Sequence, residues 1–348
     1  MKRNPSIEVF RCLLMFCIVL YHCCLFNVQL PDKSYHDALP IWMLPFCMGL
    51  IWHVDGFVAI SGWFGIKFTL KKFFRLWGLV LFYSLLSVGV SKFVLGDALS
   101  LHSFIIYGGW FTATYLGLMF VSPVLNAAID HLKDDPRTLR FAIGLFAAMM
   151  FLNWVPTHLN SAVEPCGVGG STLVNFMFLY LLVRSIRVCG YRPSKRQLVM
   201  GVLLGGVGML AVNALNLAYL VFRGGVRDVG LLAASCQSLL SYDAPYVQLI
   251  AICMLLLFAE YIQVPRILGN VCLFLGPSMF AVYLIHGPSS YGHLAYRTMQ
   301  SWFLNRFDVH PAFIVVLTAV ITFFACCAID LVRRGGVQLV RRAWKVDR

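Results

Sequence analysis

The sequence predicts an all-α polytopic membrane helix bundle, with about ten transmembrane helices and both termini cytoplasmic. Three observations carry that prediction. Hydrophobic residues make up 60% of the 348-residue chain and charged residues only 12%, about half the share of an ordinary soluble domain. The apolar residues fall in long continuous runs, not in the alternation over about ten residues that marks barrel strands. Lys and Arg gather in alternate connections between those runs, as the positive-inside rule requires.

The runs lie at approximately 9–29, 45–66, 76–95, 104–126, 139–156, 171–189, 198–221, 245–262, 268–287 and 311–331. The first follows MKRNPSIEVFR and ends in YHCCLFNVQL. It has no small-x-small cleavage site, so it reads as an uncleaved first helix and not a signal peptide. The second, MLPFCMGLIWHVDGFVAISGWFGIKF, brings His53 and Asp55 to intermediate depth. The fourth is interrupted by Gly108, Gly109 and Pro123, which membrane helices tolerate when neighbours satisfy the backbone. The seventh contains GVLLGGVG at 201–208, whose small residues at i and i+4 suggest close helix packing and not a dinucleotide fold. The longest outer loops are expected near 223–244 and 288–310. Each is read either as an interfacial aromatic anchor or as a surface for an extracytoplasmic substrate. A single domain over 1–348 is expected, with a basic cytoplasmic tail at about 332–348.

The net charge of +13 is assigned to cytoplasmic flanks and anionic headgroups. No basic patch is interleaved with aromatics in a way that would stack bases, so nucleic acid is not expected as a partner. The twelve cysteines form no Cys-x-x-Cys pair and mostly lie inside apolar runs. They read as packing residues, and no metal site is expected. Only Cys166 and Cys236 fall in outer loops, and a disulfide between them stays open.

Arg11 and His22 are the most informative pair. Eleven residues on an α-helix bring a side chain back to about 20° beyond three turns, with a rise of roughly 16 Å. Both groups therefore share one stripe, a cation at the cytoplasmic edge and an imidazole deep in an otherwise uncharged run. Such groups mark a pathway or a site, or else a snorkelling Arg and a histidine bonded to a neighbouring helix. Asp55, the only carboxylate of the second run, either orients His22 as a proton acceptor or serves a structural pair. Lys71, Lys72 and Arg75 are flanking charges or a phosphate cradle. Tyr283 and His286, one turn apart on the ninth run, are candidates for the outer mouth or else serve a capping or interfacial role. Signatures of soluble enzymes are absent: there is no Gly-x-Ser-x-Gly, no His-Glu-x-x-His and no phosphate-binding loop.

In this order, the motifs resemble the acyltransferase-3 family of integral membrane acyltransferases. IEVFRCLLMFCIVLYH (7–22) is similar to its opening Arg-x10-His helix, and VDGFVAISGWFGI (54–66) to its Asp-x-Phe-Phe…Ser-Gly-Phe stretch. KKFFRLW (71–77), GWFTATYLGLMFVSPVLN (109–126) and YLIH (283–286) follow where the family has its basic pair, its Trp-Phe…Pro-x-Leu segment and its late Tyr-Leu-x-His. The resemblance implies transfer of an acyl group, commonly acetyl, from cytoplasmic acyl-CoA to a hydroxyl of an extracytoplasmic sugar or cell-surface polysaccharide. It implies a multi-pass protein of a bacterial inner membrane, with acyl-CoA as co-substrate and no tightly bound cofactor.

Residue by residue, it implies Arg11 and His22 as the paired functional groups of the first helix and puts Lys72 and Arg75 at the family's basic pair. On that footing His22 is expected to act as the catalytic proton acceptor with Asp55 orienting its ring, and Arg11, Lys72 and Arg75 to hold the CoA phosphates. Tyr283 and His286 are expected to line the acceptor's path. Lys72 stands where the family usually has Arg, which weakens a bidentate phosphate contact because Lys acts as a point charge. The chain shows no fused extracytoplasmic domain, so it either completes the transfer itself or passes the acyl group to a glycan-assembly partner. General-base catalysis and an acyl-histidine intermediate both remain open. The rival expectation is a secondary transporter or carrier of a glycan precursor without acyl chemistry.

Overall fold

The computed structural model describes residues 3–26, 41–90, 92–93, 109–159, 170–287 and 290–346. These residues are helical, with no strand among them. In chain order the helices are α1 (Pro5–Leu25), α2 (Leu44–Leu50), α3 (His53–Phe64), α4 (Leu70–Val90), α5 (Gly109–Leu132), α6 (Pro136–Leu159) and α7 (Leu173–Val188). They continue with α8 (Lys195–Phe222), α9 (Val229–Ser238), α10 (Pro245–Glu260), α11 (Arg266–Leu275), α12 (Met279–His286), α13 (Ser290–Leu304) and α14 (Pro311–Val346). Among the described residues, eight stretches are long and apolar enough to cross a bilayer. The shorter α7 and α10, of 16 residues each, occupy the positions of the sixth and eighth expected spans. The count of about ten thus covers eight full-length stretches and two helices that rise only about 24 Å.

The chain divides into two compact units. The first comprises Met1–Val28, Trp77–Gly109 and Val264–Arg348. Its centre is α1, packed on α11, α12 and α14. Asn4 starts α1 by accepting the backbone N–H of Ser6 at 2.9 Å, and Pro5 occupies the first turn, where its missing N–H costs no hydrogen bond. Phe10, Leu14, Val19 and Cys23 of α1 are completely buried. Phe16 meets Phe323 of α14 edge to face at 5.9 Å, and Gln300 of α13 donates to the Cys23 carbonyl at 3.1 Å.

The second unit comprises Gln29–Leu76 and Trp110–Gln263. In it α3 lies on α7 and α10, and α10 lies on α8. The glycines of α8 do what their spacing suggests. A Cβ at Gly205 would come within 2.9 Å of the Tyr246 carbonyl, and one at Gly201 within 2.5 Å of Cys253 Sγ. The expected second span is not one continuous helix. It breaks between α2 and α3 at Ile51–Trp52, where the Trp52 indole donates to the Gly49 carbonyl at 2.8 Å. The break makes His53 the first residue of a new helix and puts Asp55 in its first turn. Gly65, at φ +72°, ends α3 in the left-handed conformation, which glycine adopts without steric cost. The following backbone is clamped. The Ile66 N–H donates to Tyr180 Oη at 2.9 Å, Asn126 donates to the Ile66 carbonyl at 2.9 Å, and Tyr180 donates to Asn126 Oδ1 at 2.8 Å.

Candidate active site

The first unit assembles the expected groups of α1. At its start, the carboxylate of Glu8 is nearly buried and accepts from Arg11 Nη1 at 3.0 Å and from Arg3 Nη2 at 3.0 Å. Gly276 makes room for that carboxylate, since a Cβ there would overlap Glu8 Oε2. Arg11 is three-quarters buried, so Glu8 holds its guanidinium in one place on the α1 stripe.

Near the other end of α1, the ring of His22 lies 5.1 Å from that of His286 on α12, tilted by 49°. His286 is 1% exposed. Its Nδ1 lies 2.6 Å from the carbonyl oxygen of Val282. A carbonyl only accepts, so Nδ1 carries the proton and Nε2 bears the lone pair when the ring is neutral. Tyr283 meets the same ring edge to face at 6.3 Å, and the Tyr296 hydroxyl donates to the His286 carbonyl at 2.6 Å. Of the residues singled out in the sequence, the structure thus brings His22, Tyr283 and His286 together.

Asp55 belongs to the second unit, at the end of α3 where other buried polar groups gather. It is fully buried, and neither carboxylate oxygen has a hydrogen-bond partner among the described residues. Its electrostatic neighbour is Asp243, which precedes α10 and accepts from Asn153 at 3.2 Å. The His53 ring lies 6.0 Å from that of Tyr242, which also meets Trp110 at 5.4 Å. Gln248 donates to Asn175 Oδ1 at 2.7 Å, and Asn175 donates to the Gly170 carbonyl at 2.9 Å. Fresh helix starts at His53 and Pro245 supply partial positive charge here. Asp55 stands in the first turn of α3, where the helix dipole offsets part of the cost of burying it.

Lys72 and Arg75 also lie in the second unit, on the first turns of α4, and both are exposed. Lys72 Nζ donates to the Lys67 carbonyl at 2.9 Å, which anchors it beside the Gly65 turn. The guanidinium of Arg184 lies against Gly65, 2.9 Å from where a Cβ would stand. Arg187 pairs with Glu260 at 3.3 Å and covers the Trp63 ring at 4.4 Å. The disulfide left open between Cys166 and Cys236 falls on Cys166, outside the described residues. Burial raises the Cys236 thiol pKa above its usual value.

The sequence reading missed Glu8, Asp243 and Asp330. Glu8 carried a signal, being the only carboxylate of the first helix and one turn from Arg11. Asp243 sat in what read as a loop. Asp330, fully buried on α14, accepts from Tyr83 Oη at 2.8 Å and from Arg333 at 2.7 Å.

No curated protein and no solved structure matches the chain. A family model described as an acyltransferase domain matches residues 4–331. That match covers essentially the whole chain, including the α1 stripe and the His22–His286 contact, and on it the chain belongs to the acyltransferase-3 family.

Proposed function

We propose that this membrane acyltransferase takes its acyl group, acetyl in the simplest case, from acyl-CoA on the cytoplasmic side. It delivers that group to a hydroxyl of an extracytoplasmic sugar or cell-surface polysaccharide, in the inner membrane of a bacterium. The observation that carries this reading is the contact of His22 with His286 at one end of α1, with Arg11 fixed by Glu8 toward the other. The charge asymmetry of the loops puts Arg11 at the cytoplasmic edge, where a guanidinium suits the CoA phosphates. The imidazoles then stand about 16 Å higher, within reach of an acceptor entering from outside.

In this mechanism the acceptor hydroxyl gives its proton to His22 as its oxygen forms a bond to the thioester carbonyl carbon. The C–S bond breaks, and the CoA thiolate leaves with the proton that the imidazole returns. His286, held in one tautomer by the Val282 carbonyl, shares the positive charge that one ring would otherwise carry alone in a low-dielectric interior. Asp55 is retained as a carboxylate the transfer requires, supported by its burial without a hydrogen-bond partner among the described residues. Lys72 and Arg75 serve as exposed cytoplasmic cations that attract the CoA anion. Tyr283 lines the acceptor's side of His286.

A second reading is supported by the helix break before Asp55: a carrier that moves a glycan precursor without acyl chemistry. Purified protein in proteoliposomes, given labelled acyl-CoA and an acceptor oligosaccharide, separates the two. The proposal expects label in the glycan, and expects His22→Ala to lower the rate by about 10²- to 10⁴-fold. Undiminished transfer by His22→Ala overturns the assignment, and glycan movement without acyl-CoA turnover favours the carrier.

A further inference from the structure

We infer that the buried face of α14 is a hydrogen-bonding track for the pantetheine arm of acyl-CoA, formed by Thr318 and Thr322 and ending inward at Asp330. The inference rests on the acyl-CoA reading above and adds residues that no motif marks.

Positions 318, 322, 326 and 330 recur at i+4, so each neighbours the next along a row that winds about 40° per step around the helix. Thr318 and Asp330 are completely buried, Thr322 is 7% exposed and Cys326 is 4% exposed. Neither threonine hydroxyl has a hydrogen-bond partner among the described residues, and neither has Asp330 Oδ2. A threonine inside a helix ordinarily satisfies its hydroxyl on the carbonyl one turn back. Two that decline this, one turn apart on one buried face, are a pair of polar groups awaiting partners.

Lipid cannot supply those partners. Acyl chains carry no donor or acceptor, and a hydroxyl left bare in such surroundings is unfavourable. The pantetheine arm has the complementary need. It carries two amides, separated by a two-carbon linker, and both must be satisfied if the arm leaves water. A threonine hydroxyl donates and accepts, so it serves an amide carbonyl or an amide N–H equally. The rise between Thr322 and Thr318 is about 6 Å, and from Asp330 to Thr318 about 18 Å. That length matches the separation of Arg11 from His22, roughly 16 Å along α1. The first unit packs α14 against α1 and α12, the helices that carry Arg11, His22 and His286. At the inner end Asp330 is already held by Tyr83 and Arg333 through Oδ1, which leaves Oδ2 for an N–H of the arm.

The test uses the full-length protein in detergent, with Thr318→Val and Thr322→Val as shape-preserving variants and Thr→Ser at each position as controls. Equilibrium binding of CoA itself is expected to weaken about five- to tenfold for each Val variant and to stay within twofold for each Ser variant. KM for acyl-CoA is expected to rise in parallel, while the penalty vanishes with a truncated thioester donor that has no amide. Melting temperatures are read alongside. Val variants that bind CoA as tightly as the parent, with melting temperature held or raised, would show that the hydroxyls merely fill space and would overturn the inference. Failure of the acyl-CoA reading itself is distinguishable, because it appears as no CoA binding by the parent protein.

Discussion

Glu8 and Arg11 are joined across one turn of α1 at 3.0 Å, with the carboxylate almost wholly removed from solvent. The same carboxylate holds Arg3, so one buried acid organises two cations at the N-terminal end of the helix. Glu8→Gln keeps the shape and removes the charge. It is expected to cost about 1–2 kcal/mol of stability, since both arginines remain partly solvated. It is also expected to raise KM for acyl-CoA several-fold by releasing Arg11. Thermal denaturation and initial rates check the two effects separately, and an unchanged KM would show that Arg11 needs no such support.

His286→Ala removes the second imidazole and leaves α12 otherwise intact. The transfer rate is expected to fall by about 10²- to 10⁴-fold. His286→Gln should not rescue it, because an amide can bond Val282 but cannot share a proton. Activity of His286→Gln near the parent value would reduce His286 to a structural role.

Asp55 has the environment in which a carboxylate is unfavourable and persists for another reason. Replacing such a group by a neutral one of similar shape is neutral or stabilising. Asp55→Asn is therefore expected to hold or raise the melting temperature while lowering transfer at least a hundredfold. A variant that is destabilised and fully active would reverse both halves of the argument.

Gly62 of α3 faces α7 so closely that an added Cβ would stand 2.8 Å from the Tyr180 carbonyl and 3.1 Å from Val183 Cβ. Gly62→Ala is expected to destabilise by about 1–3 kcal/mol through overpacking against backbone. Gly144 of α6 has nothing within 4 Å of its Cβ position. Gly144→Ala is expected to be neutral or stabilising by about 1 kcal/mol, as helix propensity favours Ala. Paired melting curves settle the contrast.

Asp135 stands before α6 and accepts from the Thr138 hydroxyl at 2.6 Å and from the Thr138 and Arg137 N–H groups at 3.2 Å each. The Thr138 hydroxyl leads in lowering its pKa below the ordinary aspartate value. A carboxyl depressed by folding adds stability that is present above its unfolded pKa and is lost as the pH falls through its folded pKa. Asp135→Asn is expected to flatten the acid limb of the melting-temperature profile and leave the neutral-to-alkaline limb parallel to the parent's. Coincident acid limbs would contradict this.

Run length and hydropathy were enough to place the long apolar helices, because a backbone in lipid must satisfy itself and leaves little choice beyond helix. They did not place α13, which forms within the stretch 288–310 that read as an outer loop. The break at Ile51–Trp52 was not legible, since nothing in GLIWHV forbids a continuous helix and the Trp52–Gly49 bond depends on local geometry. The spacing of Arg11 and His22 gave their common stripe but not the helix they meet. That His286 is the neighbour of His22 follows from the docking of α12 on α1, a tertiary choice that periodicity does not encode. Asp243 was hidden for a related reason. It lies outside any apolar run, yet Gly170 closes so tightly on its backbone that no other residue would fit there.

The last helix, α14, runs unbroken for 36 residues, about 54 Å of rise against roughly 30 Å of hydrocarbon. Some 24 Å of it must therefore stand clear of the oily layer, a stiff mast and not a loose tether. The basic residues in its last turns are therefore carried on helical backbone, so added salt should screen their attraction to lipid phosphates without bending the mast.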